Sequence, residues 1–185
     1  MSETGTERIL VEDFIGEYRR YQLLAEGAMS QMSDDALNYV PATDCNSVAM
    51  IVTHMSGNLQ SRFTNFLTED GEKPWRQRDD EFADRTCSRD EVMEKWSAAW
   101  AVIAREVCPL ADADLARVVT IRQQPLTVHA ALSRSIAHVA YHVGQIVLLA
   151  RTTADTPWRS LSIPKGGSAA YNKHPTNEKG PRLMK

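Results

Sequence analysis

Cysteine is scarce in this chain. Cys45, Cys87 and Cys108 lie far apart, and no CxxC or Cys/His finger spacing appears. An odd number of scattered thiols excludes a disulfide framework and reads as free thiols in a reducing cytoplasm. Long apolar runs are also missing. No stretch approaches the ~18 residues of a membrane span, and the polar start at Met1 to Glu7 has no apolar leader segment. An excess of basic charge is absent too: 21 Lys plus Arg face 24 Asp plus Glu, which argues against a broad basic face for duplex DNA or an anionic membrane. The expectation is a cytoplasmic protein with neither nucleic-acid nor membrane partners. At 185 residues, 43% of them hydrophobic, the chain is long enough to bury a core without disulfides or obligatory oligomers. One domain over residues 1–185 is expected.

Four segments carry helical periodicity. The first spans residues 10–32, with Val11, Phe14, Ile15, Tyr18, Tyr21, Leu24, Ala25, Ala28 and Met32 at spacings of three and four. Ser33-Asp34-Asp35 is expected to end it. The second begins at Asn46 or Ser47, either of which can cap it, and buries Val48, Ile51, Met55, Leu59, Phe63 and Phe66 before ending ahead of Glu69. Residues 71–86 read as surface-packed irregular structure, charged and holding Pro74 and Trp75. The third helix opens on a capping box, Ser88 with Glu91, and Pro109 stops its continuation. The β-branched run at residues 118–121 is expected to be a short extended piece. The fourth helix runs from Thr127 to about residue 150 or 153 and is the most apolar. Beyond it lies an irregular tail, residues 154–185, anchored by Trp158, Leu161 and Ile163, with the last ten or so residues loose. The pattern predicts an all-α fold, an antiparallel four-helix bundle over residues 10–153.

His138 and His142 stand four apart in the middle of the fourth helix, so their rings share one face, about a turn apart. They fall on the stripe 131, 135, 138, 142, 146, 149 and point inward. A lone core histidine needs one hydrogen bond. Two on the same buried stripe double the demand for partners, and a metal answers it by taking the lone pairs. Both readings stand on the pair alone. His54, midway along the second helix, adds to the metal reading. Inward histidines on two helices can be brought level by a parallel or an antiparallel pairing, and three imidazoles leave a metal with an open position. His129 and His174 lack this context and are expected in solvent.

One absence bears on mechanism. Residues 45–68 and 115–154 contain no Asp or Glu, so neither histidine-bearing helix carries a carboxylate. A zinc hydrolase of the HExxH kind places a Glu beside its metal-bound water. Here a base would have to come from another element, such as Asp13, Glu17 or Glu26 on the first helix or Glu94 on the third, all of which also read as solvated surface charges. Activation of a thiol needs only the cation and room. Asn58, Arg62, Tyr141 and Gln145 are candidate groups of a substrate pocket, and Arg62 can clamp a carboxylate or pin a loop. Trp96 and Trp100 read as core.

Five stretches resemble the DinB-like, or YfiT-like, superfamily of small bacterial proteins regarded as metalloenzymes: NSVAMIVTH at 46–54, GNLQSRFTNFLT at 57–68, DGEKPW at 70–75, HVAYHVGQIV at 138–147 and LSIPKG at 161–166. The resemblance spans most of residues 10–170. It implies an up-down-down-up bundle with a long crossing connection, a divalent metal held by His54, His138 and His142, and a homodimer. Some members of that superfamily are thiol-dependent transferases or isomerases using glutathione, mycothiol or bacillithiol. The resemblance therefore implies a metal-dependent thiol S-transferase. The alternatives are a non-catalytic, metal-stabilised binding or stress-response bundle, and a metal-dependent hydrolase. Zinc and nickel suit imidazole ligands, with iron next.

Overall fold

A computed structural model describes residues 9–176 of the chain. The protein is mostly helical. Among the described residues there are six α-helices: α1 Ile9–Met29, α2 Asp34–Asn38, α3 Val48–Phe63, α4 Arg89–Glu106, α5 Val128–Thr152 and α6 Ser168–Tyr171. Short 3₁₀ turns cover Asp79–Phe82 and Asp112–Ala116, and one two-stranded sheet joins β1 Val118–Ile121 to β2 Gln124–Thr127. No helix of the described residues is long and apolar enough to cross a membrane. The looseness expected of the chain's end falls almost wholly on residues beyond 176, and the polar Met1 to Glu7 on residues before 9; both lie outside the described residues.

The helix starts follow from short polar side chains that accept the first free amides. Ser47 accepts from Met50 N–H, Thr127 from Ala130 N–H, and Ser88 forms a full capping box with Glu91. The long helices α1 and α5 pack against one another, as do α3 and α4, and α3 also meets α5. Their apolar stripes meet in one core: Val11, Ile15 and Tyr18 of α1, Ile51, Met55 and Leu59 of α3, Trp96 of α4, and Leu132, Val139 and Ile146 of α5 are all buried. Trp96 and Trp100 are core residues, as expected. Arg89, the first residue of α4, donates to the carbonyls of Met29 and Met32 and so satisfies the end of α1.

The structure departs from the sequence reading in four places. Ser33 does more than end the first helix: it caps α2, accepting from Ala36 N–H. The second helix stops at Phe63, and Asn65 takes a left-handed φ of 53° before Phe66 turns back into the core. The segment 118–121 is one arm of a hairpin whose second arm, Gln124–Thr127, was not expected. Ile163 is exposed, while Trp158 and Leu161 pack on the core as expected, and α6 adds a helical turn to the tail.

The hairpin is held from outside. Its two-residue turn puts Arg122 and Gln123 at φ of 54° and 62°, the left-handed conformation that such a turn demands. Asp70 compensates by accepting both turn amides, Arg122 N–H at 2.9 Å and Gln123 N–H at 2.8 Å, and that of Glu72 at 2.7 Å. These bonds, Glu72 first, hold the Asp70 carboxyl far below the ordinary carboxylate range. Gly71 N–H donates to Thr120 O, completing the join between the loop after α3 and the hairpin. Replacing Asp70 by Ala is expected to cost about 2 kcal/mol, the size of hydrogen bonds to a charged acceptor. Gln123→Gly is expected to add roughly 1 kcal/mol by relieving the left-handed strain. Urea unfolding checks both, and a Gln123→Gly variant no more stable than the parent would show that the turn is unstrained.

Candidate metal centre

His54 lies in the second turn of α3, where burial of Ile51, Met55 and Leu59 turns its ring toward α5. His138 and His142 lie one turn apart in the middle of α5. The three rings meet edge to face, with centroids 4.5–5.3 Å apart. One ligating nitrogen from each lies within 4.8 Å of the others. His138 Nε2 is 3.3 Å from His54 Nε2 and 3.1 Å from His142 Nε2. His129 and His174 are exposed and take no part.

The outer nitrogens decide the protonation. His54 Nδ1 lies 2.8 Å from Glu81 Oε2, so it carries the proton and donates to the carboxylate. His142 Nδ1 lies 2.8 Å from Gln145 Oε1, and Gln145 in turn donates from Nε2 to the Tyr141 hydroxyl, which fixes the amide's orientation. In the neutral rings, then, the Nε2 atoms of His54 and His142 present lone pairs, and both face His138 Nε2. A single N–H on His138 cannot serve both well. A cation among the three nitrogens answers all of them, and tetrahedral ligands about 2.0–2.1 Å from zinc sit about 3.4 Å apart, close to the two separations from His138. The donor set fits a divalent ion.

Burial, then the neighbouring His142 and His54, pushes the His138 pKa down to about 4. Burial likewise lowers that of His142, against a smaller upward effect of Gln145. Neutral imidazoles are the ligand form.

The carboxylate nearest the triad comes from the loop that reads as surface structure. Residues 71–86 are irregular apart from the 3₁₀ turn at Asp79–Phe82, but Lys73, Arg76 and Glu81 are buried in them. Arg76 donates from Nε to Glu81 Oε1 at 2.8 Å and from Nη2 to Oε2 at 2.9 Å. Burial raises the Glu81 carboxyl, but the hydrogen bonds from His54 and Arg76 and the charge of Arg76 outweigh it and leave it below the ordinary range. The next residue, Phe82, lays its ring against His54 at 4.7 Å. Glu81 therefore orients a ligand from behind. The carboxylates weighed from sequence stand elsewhere: Glu26 accepts from Trp96 Nε1, Glu17 pairs with Arg20, and Asp13 and Glu94 are exposed. One sign of Glu81 was available. Gly57, inside α3 three residues after His54, is a residue that weakens helices by about 1 kcal/mol relative to Ala. A Cβ there would collide with Glu81 Oε1.

A cavity of about 480 Å³ opens in front of the triad, and His54 and His138 line it. Of the four pocket candidates, Asn58 and Arg62 line it, one and two turns along α3 from His54. Arg62 also donates to Gly71 O and, at 3.1 Å, to Glu72, so it pins the loop as well. Tyr141 and Gln145 do not line it; they support His142 from outside. Arg76, Arg78, Arg122 and Arg134 line the cavity and were not anticipated.

This chain belongs to the family described as a protein of unknown function (DUF1572), whose model matches residues 6–167. Among curated proteins, none matches it.

Two predictions follow from the geometry. Glu81→Gln keeps the shape but weakens the grip on His54, and zinc affinity measured by chelator competition is expected to fall 10- to 100-fold; Gly57→Ala, which displaces the carboxylate, should fall in the same range. Unchanged affinity in both would detach Glu81 from the centre. The second concerns pH. In the metal-free fold His138 stays neutral down to about pH 4, whereas unfolded histidine takes up its proton near 6.5. Between those values the unfolded chain binds more protons, so stability falls as pH drops from about 6.5 to 4. The Tm of metal-free protein should decline across that window, and His138→Gln should flatten the decline.

Proposed function

We propose that this protein is a metal-dependent enzyme of the DinB-like, or YfiT-like, kind, in which His54, His138 and His142 hold one divalent ion and a low-molecular-weight thiol of the bacillithiol, mycothiol or glutathione type is the co-substrate. Zinc and nickel are the preferred ions, iron the third. The fold that goes with this reading is an antiparallel four-helix bundle of α1, α3, α4 and α5, one domain over residues 1–185, assembled as a homodimer. The packing of α1 on α5, of α3 on α4 and of α3 on α5 supports the bundle.

The observation that carries the reading is the pairing of a cavity that reaches His54 and His138 with the absence of any Asp or Glu among the described residues that line it. An open face favours an enzyme over a closed structural site. When bound, a divalent ion supplies a positive centre that lowers the pKa of a thiol ligand. The chain's own residues set this up in three ways. Three neutral imidazoles leave the ion's charge uncancelled, so the open position attracts an anion. Glu81 and Gln145 fix the tautomers of His54 and His142. Arg76 occupies Glu81, so this carboxylate is not free to take a proton from water in the cavity, which separates the reading from hydrolysis with a carboxylate base.

Elemental analysis of protein purified without added metal should find about one divalent ion per chain, and less after His54→Ala, His138→Ala or His142→Ala. Thiols at millimolar concentration should then give the cobalt-substituted protein a sulfur-to-metal absorption band that His142→Ala abolishes. Full metal occupancy in a triple alanine variant would overturn the site. Hydrolysis of an ester or amide with no thiol band would overturn the reaction type.

A further inference from the structure

The cavity's front wall carries a charge that the centre itself does not require. Five arginines line it, Arg62, Arg76, Arg78, Arg122 and Arg134, and no described lining residue is acidic. The carboxylates that answer them stand behind. Glu72 is shared by Arg62 and Arg122, and Glu81 is taken by Arg76. Arg78 pairs with Asp79 at 3.7 Å, with the Asp79 carboxylate fully in solvent and the guanidinium half exposed and lying over the Phe82 ring. The Arg134 side chain has no ion pair or hydrogen bond among the described residues. Three carboxylates thus face five guanidinia: Arg62 and Arg122 divide one, Arg78 has only a long, solvent-exposed contact with another, and Arg134 has none. Ser135, beside Arg134, lines the same cavity; it is buried, and its hydroxyl faces that of Tyr18 in the core.

We propose that this wall recognises a small acid, and that Arg134 and Arg78 grip its carboxylate or phosphate group while its other end faces the triad. Guanidinia bind both oxyanions through paired N–H donors, and the partly dry cavity makes each such bond stronger than in water. Arg134 precedes His138 by four residues on α5, so the grip lies one helical turn from a ligand of the proposed centre. The ligand is an anionic small molecule, with the acid as its handle. The inference rests on the proposed function only for which end reacts; the anion grip stands on the arginines alone.

Isothermal titration of the full chain with succinate, inorganic phosphate and uncharged succinamide tests it, in zinc-loaded and in chelated protein. Succinate or phosphate should bind saturably in both forms, and the better of the two names the oxyanion; succinamide should not bind. Arg134→Gln and Arg78→Gln should each weaken that affinity roughly tenfold, the loss of one charged hydrogen-bonding partner, with Tm and metal content unchanged. Arg134→Lys should retain more affinity than Arg134→Gln, which separates lost recognition from lost structure. Equal affinity in the Arg134→Gln/Arg78→Gln double variant, equal binding of succinamide, or no saturable anion binding overturns the proposal. So does anion binding that requires zinc and ignores both arginines, which would assign it to the ion alone. If the protein holds no metal and yet binds the acid through Arg134, the proposed function fails and this inference stands.

Discussion

The buried carboxylate of Glu81 constrains the rest of the site. Taking a carboxylate out of water costs several kcal/mol unless its oxygens are satisfied. Here both oxygens accept from Arg76, and one also from His54. That requirement draws the loop after α3 against the helix, buries Arg76 with it and lays Phe82 against the imidazole. It also demands an α3 residue without a side chain where the carboxylate comes closest, and Gly57 stands there. An apolar loop could have been packed in at less electrostatic cost. What an ion pair adds, and apolar packing cannot, is a fixed tautomer on His54, with its lone pair turned inward.

The result is a site polarised from back to front. Carboxylate charge is placed behind the imidazoles, where His54 and Arg76 absorb it. Guanidinium charge is placed in front, in the cavity. Between them lie three rings, and burial and the neighbouring imidazoles lower the pKa of two of them, His138 and His142. A group entering the cavity meets positive charge from the wall and, on the proposed reading, from the centre as well. Both favour an anion.

Much of this was legible in the sequence, for reasons that differ from residue to residue. Ser47, Ser88 and Thr127 cap helices through local hydrogen bonds, which depend on neighbours in the chain, so α3, α4 and α5 begin where the sequence puts them. The i, i+4 pair on α5 and the inward face of α3 likewise follow from helical period alone. The hairpin did not show because its turn uses Arg122-Gln123 instead of the Asn-Gly that marks such turns. Its stabiliser, Asp70, is about fifty residues away. Glu81 was hidden for the same reason: its partners lie 27 residues upstream on α3 and five residues upstream in a loop whose charges look like those of a solvated segment. Groups satisfied by distant partners leave no local pattern.

The two helices that line the cavity, α3 and α5, set its scale. On α3 the order away from the triad is His54, Asn58, Arg62; on α5 it is His142, His138, Arg134. Each helix thus carries a ligand of the proposed centre and, two turns or about 12 Å further on, an arginine. Because the spacing is a helical rise, it does not vary as a loop would, and the hairpin and the Arg76–Phe82 segment only close the sides. Side chains reaching toward one another shorten the span. From His138, the triad member nearest Arg134, the rise is a single turn of about 6 Å. A ligand that bridges the two ends therefore has a length set by these two helices, which favours a short acid over an extended one.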